Sequence, residues 1–230
     1  MKSIFVYQHL GLGDHIICNG LIRSILERDN PKMLYLPVKE CNLPSIISMY
    51  KDEDRIVLLP IDSKANNTEY RSCYLFEDSA NANKVYNIGF NNRRDDWDVS
   101  FYDCAGIPFE KRWTGFKLNR NTDEEKELER KVNPSKEPFI LVHDIYSVST
   151  ATLKINTQFK VIKVTNISNN IFNWCGLIEQ AQEVHCIDSS FIHLCQSIRN
   201  NGYFHNFKRV DRKGSKDYFT ILPTWKTIGY

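Results

Sequence analysis

Short apolar runs alternate along this chain with stretches in which apolar residues recur every three or four positions, a strand-then-helix rhythm. Residues 2–7 (KSIFVY) predict a first strand, HLGLG a turn, and residues 16–28 (IICNGLIRSILER) a helix with Ile17, Leu21, Ile25 and Leu26 on one face. Strands follow at 33–38 and 55–60, with a short helix at 43–50 between them. Residues 62–83 are polar and carry little periodicity. A strand at 84–88 and a helix at 97–105 come next, the helix closed by Gly106 and Pro108. The rhythm then restarts. FILVH (139–143), FKVIKVT (159–165), EVHCI (183–187) and GYFHNF (202–207) predict strands, with helices at 171–181 and 189–199. Between the halves, DEEKELERKV predicts a charged connector helix whose acids lie at its N-terminal end.

Alternation of this kind predicts an α/β protein with parallel sheets covered on each face by helices, joined by right-handed crossovers. Two compact Rossmann-type domains are expected, at 1–118 and 139–230, with 119–138 as linker.

The rest of the composition narrows the class. A chain of 230 residues, 42% hydrophobic and 12% aromatic, can build a real core. Thirty basic residues against 28 acidic ones leave no broad footprint for nucleic acid. The opening residues do not read as a secretory leader, and no run approaches the ~20 apolar residues of a spanning helix. Peripheral contact with a membrane stays open. Seven scattered cysteines without a CxxC pair argue against a disulfide framework and a zinc site, and point to a reducing cytoplasm.

Ligands of open α/β sheets bind beyond the carboxyl ends of the strands, and three such places carry unusual residues. His9-Leu10-Gly11-Leu12-Gly13-Asp14-His15 sets a carboxylate and an imidazole beside a tight glycine turn. Asp14 reads equally as a catalytic base or as a helix cap. A dinucleotide fingerprint would need glycine where Ile16 stands, although Glu40 could mimic its ribose-binding acid. In the second half, Ile187-Asp188-Ser189-Ser190-Phe191-Ile192-His193 ends a strand in an acid and two hydroxyls and starts a helix at once. Exposed amides and hydroxyls there suit a diphosphate, and Ser189 and His193 share a face, although a packed polar residue is the simpler account of His193. Third, His143-Asp144 opens a hydroxyl-rich loop that reads either as a phosphate cradle with Lys154 as a point charge or as an ordinary polar loop. No HxH or HExxH pattern occurs, and no metal is expected. The run Asp95-Asp96-Trp97-Asp98 reads better as a helix start than as a metal site.

LGLGDHIICNGLIRSI and EVHCIDSSFIHLCQSI together resemble two motifs of the heptosyltransferase-like glycosyltransferases, family 9, of the GT-B type. The first is similar to that family's strand–GxGD–helix opening. The second is similar to its "V-D-T-G-x-x-H" element, which places Asp188, Ser189 and His193 on the family's Asp, Thr and His, with Ser190 replacing Gly. The resemblance implies a GT-B-like fold. It also implies inverting, metal-independent transfer of a sugar from a nucleotide-sugar donor to a hydroxyl of a saccharide acceptor, with no cofactor. Asp14 would be the general base. Gly11, Gly13, His15, Lys154, Asp188, Ser189, Ser190 and His193 would serve the donor. Both halves are shorter than is usual for the family, and its acceptor-recognising segments have no counterpart in 60–100. Two other readings compete: a non-catalytic protein of the same fold that binds sugar nucleotides or glycans, and an NAD(P)-dependent Rossmann enzyme.

Overall fold

The computed structural model describes residues 3–62, 82–89, 96–146, 150–207 and 219–230. The chain divides into two units between Asn119 and Arg120, with Phe219 and Thr220 returning to the first unit.

The first unit is a four-stranded parallel sheet in the order β3-β2-β1-β4, made of β1 (Ser3–Tyr7), β2 (Met33–Lys39), β3 (Ile56–Ile61) and β4 (Lys84–Asn87). Strand β1 is central and buried on both faces: Ile4, Phe5 and Val6 are fully enclosed. That is why it reads as an unbroken apolar run. Pro37 is tolerated inside β2 because the register with β1 stops at Tyr35, so its missing N–H falls beyond the ladder. The single helix expected at 16–28 is two, α1 (Leu12–Ile17) and α2 (Asn19–Asp29), meeting at Cys18. The hydroxyl of Tyr102 donates to the Ile17 carbonyl at 2.7 Å, taking an acceptor that a continuous helix would use. Helix α2 buries Leu21, Ile22, Ile25 and Leu26. Helix α3 (Leu43–Tyr50) links β2 to β3.

Helices α4 (Trp97–Ala105) and α5 (Lys111–Thr114) complete the unit. Gly20 is required where α2 meets α5, because a Cβ there would lie 1.9 Å from the Lys111 carbonyl oxygen. Asp98 belongs to the acidic run that opens α4. It is fully buried and ion-paired with buried Arg112. Its Oδ2 also accepts from the Thr220 amide at 2.8 Å, and its Oδ1 from the Thr220 hydroxyl at 3.3 Å. A buried pair of this kind is stable only when its remaining hydrogen-bonding capacity is used, as here.

The second unit is a five-stranded parallel sheet in the order β6-β5-β7-β8-β9. Its strands are β5 (Phe139–His143), β6 (Lys160–Lys163), β7 (Glu183–Cys186), β8 (Gly202–Asn206) and β9 (Trp225–Gly229). Helix α6 (Thr122–Val132), capped by the Asn121 side chain, packs within this unit on a 3₁₀ turn at Ile171–Trp174 and on α7 (Cys175–Gln180). Helix α8 (Ser190–Ile198) follows β7 and buries Phe191, Ile192, Leu194 and Cys195. Strand β9 was not anticipated. Among the described residues it pairs with β8 alone, and the Trp225 ring lies 2.7 Å from where a Cβ on Gly202 would be. Cys18, Cys175, Cys186 and Cys195 are free and buried, as small hydrophobes.

Candidate functional site

In the first sheet the chain leaves β1 toward β2 on one side and returns to β4 on the other, so the switch point lies at the carboxyl ends of β1 and β4. The loop after β1 is fixed from two directions. His9 Nε2–H donates to the Gly89 carbonyl after β4 at 3.1 Å, and Asn42 Nδ2–H donates to the Leu10 carbonyl at 3.1 Å. Gly89 has φ +86°, and a Cβ there would strike Phe101 at 2.4 Å.

Gly11 is the N-cap of α1, and Asp14 is the third residue of the helix. Asp14 is therefore in the first turn rather than at the cap, where a carboxylate is favoured by the unpaired amides. Gly11 and Asp14 are coupled sterically, since a Cβ on Gly11 would fall 2.5 Å from Asp14 Oδ2. Gly13 occupies the second helical position. His15 faces inward. Its ring is fully buried, Gln8 Nε2–H donates to its Nδ1 at 2.7 Å, and burial with Lys39 nearby lowers its pKa to about 3. It is a neutral imidazole supporting the loop from beneath, whereas the expectation made it a donor-binding group.

In the second sheet the switch point lies between β5 and β7. Asp188, Ser189 and Ser190 are half-buried on the turn from β7 to α8, and His193 is buried on the helix. Ser189 is the N-cap, yet its hydroxyl caps nothing. It donates to the Ile187 carbonyl at 3.3 Å and lies 3.2 Å from His143 Nδ1 at the end of β5. With that hydroxyl proton on Ile187, His143 Nδ1–H donates to Ser189 Oγ, leaving Nε2 as an acceptor. The His143 ring stacks on Phe191 at 5.1 Å, and burial lowers its pKa to about 4 against the opposing charge of Asp144. Ser189 thus gives the first-turn amides of α8 no side-chain cap at the carboxyl edge of the sheet.

Asp144 is 3% exposed; its Oδ2 accepts from Lys163 Nζ at 2.7 Å and its Oδ1 is buried without a hydrogen-bond partner. An unsatisfied buried acceptor costs ~1–3 kcal/mol or more when charged. Lys163, at the end of β6, is the cation the structure places beside this switch point; its sequence signal was a lysine ending an apolar strand. Lys154, the expected cation, is exposed, and its backbone N–H donates to the Tyr230 hydroxyl at 3.1 Å. Residues 147–149 of the expected phosphate cradle lie outside the described residues.

From Tyr230 a one-way relay crosses three strands. Tyr230 O–H donates to His205 Nδ1 (2.8 Å), His205 Nε2–H to His185 Nδ1 (2.9 Å), and His185 Nε2–H to Glu183 Oε2 (3.0 Å). The direction holds only while both rings are neutral. Burial lowers both pKa values, that of His205 to about 4 with His185 adding to the effect.

Among the described residues no cluster of three or more His, Cys, Asp or Glu could hold a metal ion, and no helix is long and apolar enough to cross a membrane. Each unit therefore presents a polar element at its own switch point: a carboxylate beside a glycine turn in the first, and a helix start lined by hydroxyls in the second.

Two all-parallel units built this way define a GT-B-like α/β fold, the fold class expected from the sequence. A glycosyl transferase of family 9 from Veillonella parvula DSM 2008 has the same fold, with TM-score 0.64 and 9% identity over 99% of this chain and 87% of the other. The E. coli ADP-heptose LPS heptosyltransferase II also matches, with TM-score 0.54 and 11% identity over 99% and 90% of the two chains. No protein-family model and no curated protein sequence matches the chain.

Proposed function

We propose that this protein is a glycosyltransferase that moves a sugar from a nucleotide-sugar donor to a hydroxyl of a saccharide acceptor, with inversion and without a metal. The observation that carries the reading is that each sheet of this GT-B-like fold bears its polar element at its own switch point, where α/β proteins bind ligands. The names of the two structural relatives, one of which includes ADP-heptose, support glycosyl transfer in general.

In this reading the Asp14 carboxylate takes the proton of the acceptor hydroxyl. The acceptor oxygen bonds to the anomeric carbon as the bond from that carbon to the diphosphate oxygen breaks, and the nucleoside diphosphate leaves with the electron pair. The uncapped amides of α8 with the Ser189 and Ser190 hydroxyls receive the developing charge, so hydrogen bonds and helix dipole do the work that a metal does elsewhere. Half-buried His143 and buried His193 shape that edge, and Gly11 leaves room for the Asp14 carboxylate.

A thermal-shift screen against nucleoside diphosphates and nucleotide sugars, with magnesium and with a chelator, tests the reading. A selective rise in melting temperature that survives the chelator is expected. A rise only with magnesium would remove the metal-independent mechanism. No rise with any nucleotide would leave a glycan-binding protein of the same fold.

A further inference from the structure

The two strands that flank the second switch point end in groups of opposite hydrogen-bonding character. After β7, the start of α8 offers backbone donors, because the Ser189 hydroxyl is turned toward Ile187 and His143. After β5 stands a pure acceptor. Asp144 is 3% exposed, is fixed through Oδ2 by Lys163 at 2.7 Å, and holds its backbone carbonyl on the Ala151 amide at 2.7 Å. Its Oδ1 has no partner, and a folded protein seldom leaves such an atom without a reason. A carboxylate can only accept, so the missing partner must donate. A phosphoryl group brings acceptor oxygens and negative charge alone and cannot be that partner, although the loop after β5 is where the sequence suggests a phosphate cradle.

We propose that Asp144 is a binding residue for a hydroxyl group of the donor, which lies across the switch point with that hydroxyl on Asp144 Oδ1 and its diphosphate at the start of α8. The proposal rests on the nucleotide-sugar reading and adds the orientation and the specificity to it. Lys163 keeps the carboxylate in place and compensates its charge without occupying the second oxygen. The hydroxyl belongs either to the ribose or to the transferred sugar; both present the same donor.

The test is calorimetric binding, in chelator, of ADP and UDP, their 2′- and 3′-deoxy forms, ADP-glucose, UDP-glucose and inorganic pyrophosphate. Wild type is compared with Asp144→Ala and with Asp144→Asn, which keeps the shape and one acceptor oxygen should the alanine variant not fold. Asp144→Ala is expected to weaken the hydroxyl-bearing probe about 10- to 100-fold, with pyrophosphate unchanged or tighter and Asp144→Asn falling between. If the ribose supplies the hydroxyl, a deoxy-diphosphate loses the same factor in wild type and nothing further in the variant. If the transferred sugar supplies it, only the sugar nucleotides weaken. Equal losses for pyrophosphate and nucleotides would overturn the proposal and leave Asp144 a structural residue. Unchanged affinities, or an effect that appears only with added magnesium, would overturn it as well. A wild type that binds none of the probes would overturn it together with the nucleotide-sugar reading, whereas the other outcomes leave nucleotide binding standing.

Discussion

Gly11 and Asp14 occupy one another's space: a single methyl group on Gly11 would lie 2.5 Å from the carboxylate oxygen of Asp14. The backbone at Gly11 (φ −67°, ψ 145°) is ordinary extended geometry that alanine adopts without strain. The clash therefore falls on the rotatable Asp14 side chain alone. Gly11→Ala is expected to leave the melting temperature within about 2 °C, a shift small for a chain of this size, and to lower kcat with little change in nucleotide affinity. Steady-state kinetics beside a thermal melt check this; unchanged kcat would mean that the Asp14 position is not used in turnover.

Gly20 and Gly229 make a matched pair for stability. A Cβ at Gly20 meets the Lys111 carbonyl oxygen at 1.9 Å, an obstacle made of backbone, whereas a Cβ at Gly229 meets nothing within 4 Å. Gly20→Ala is expected to cost ~1–3 kcal/mol or more through forced separation of α2 from α5. Gly229→Ala is expected to be neutral or slightly stabilising. Urea denaturation of the two variants gives the comparison directly, and equal midpoints would contradict the packing described for α2.

Acid should destabilise the protein before its carboxylates titrate. His15 is held to about 3, and His143 and His205 to about 4, with His185 lowered too, chiefly through burial. An unfolded histidine titrates near 6.5. Between that value and the folded ones, the unfolded state binds more protons, so stability falls as pH drops from 6.5 toward 4. Each such histidine contributes a slope of up to ~1.4 kcal/mol per pH unit. Asp29 and Asp52, held to about 2 despite burial by their partners Tyr86, Lys84 and Arg28, and Arg23 and Lys117, lose their contribution only below about pH 4. Thermal melts from pH 7.5 to 4.5 should show a steep decline, and a flat profile would contradict the buried neutral rings. Only near pH 4 and below does His205 itself protonate in the folded state, which removes the acceptor for Tyr230 and should release the Tyr230 hydroxyl.

The central strands β1 and β5 were legible in the sequence because they are buried on both faces. Ile4–Val6 and Ile140–Val142 read as plain apolar runs. The glycine turn before Asp14 and the acid–hydroxyl step before α8 were legible because each is a short local run of distinctive residue types placed directly after a strand. What escaped depends on partners distant in sequence. The break at Cys18 rests on Tyr102, 85 residues from the Ile17 carbonyl that it captures. Strand β9 is an edge strand with exposed Lys226 and Thr227, so it lacks the apolar signature of the inner strands. The Glu183–His185–His205–Tyr230 relay exists only through the register of β7, β8 and β9. Lys163 pairs with Asp144 across the β5–β6 ladder, which the expectation centred on Lys154 did not foresee.

The most direct test of glycosyl transfer is release of nucleoside diphosphate, followed with the nucleotide sugar that the thermal screen selects and a panel of saccharide acceptors, for wild type and Asp14→Asn. The account predicts acceptor-dependent release by wild type. It also predicts a loss of ~10²–10⁴ in rate for Asp14→Asn, with nucleotide affinity and melting temperature preserved. Wild-type turnover by Asp14→Asn would contradict the assignment of the base, and release by neither protein with any donor and acceptor would contradict glycosyl transfer itself.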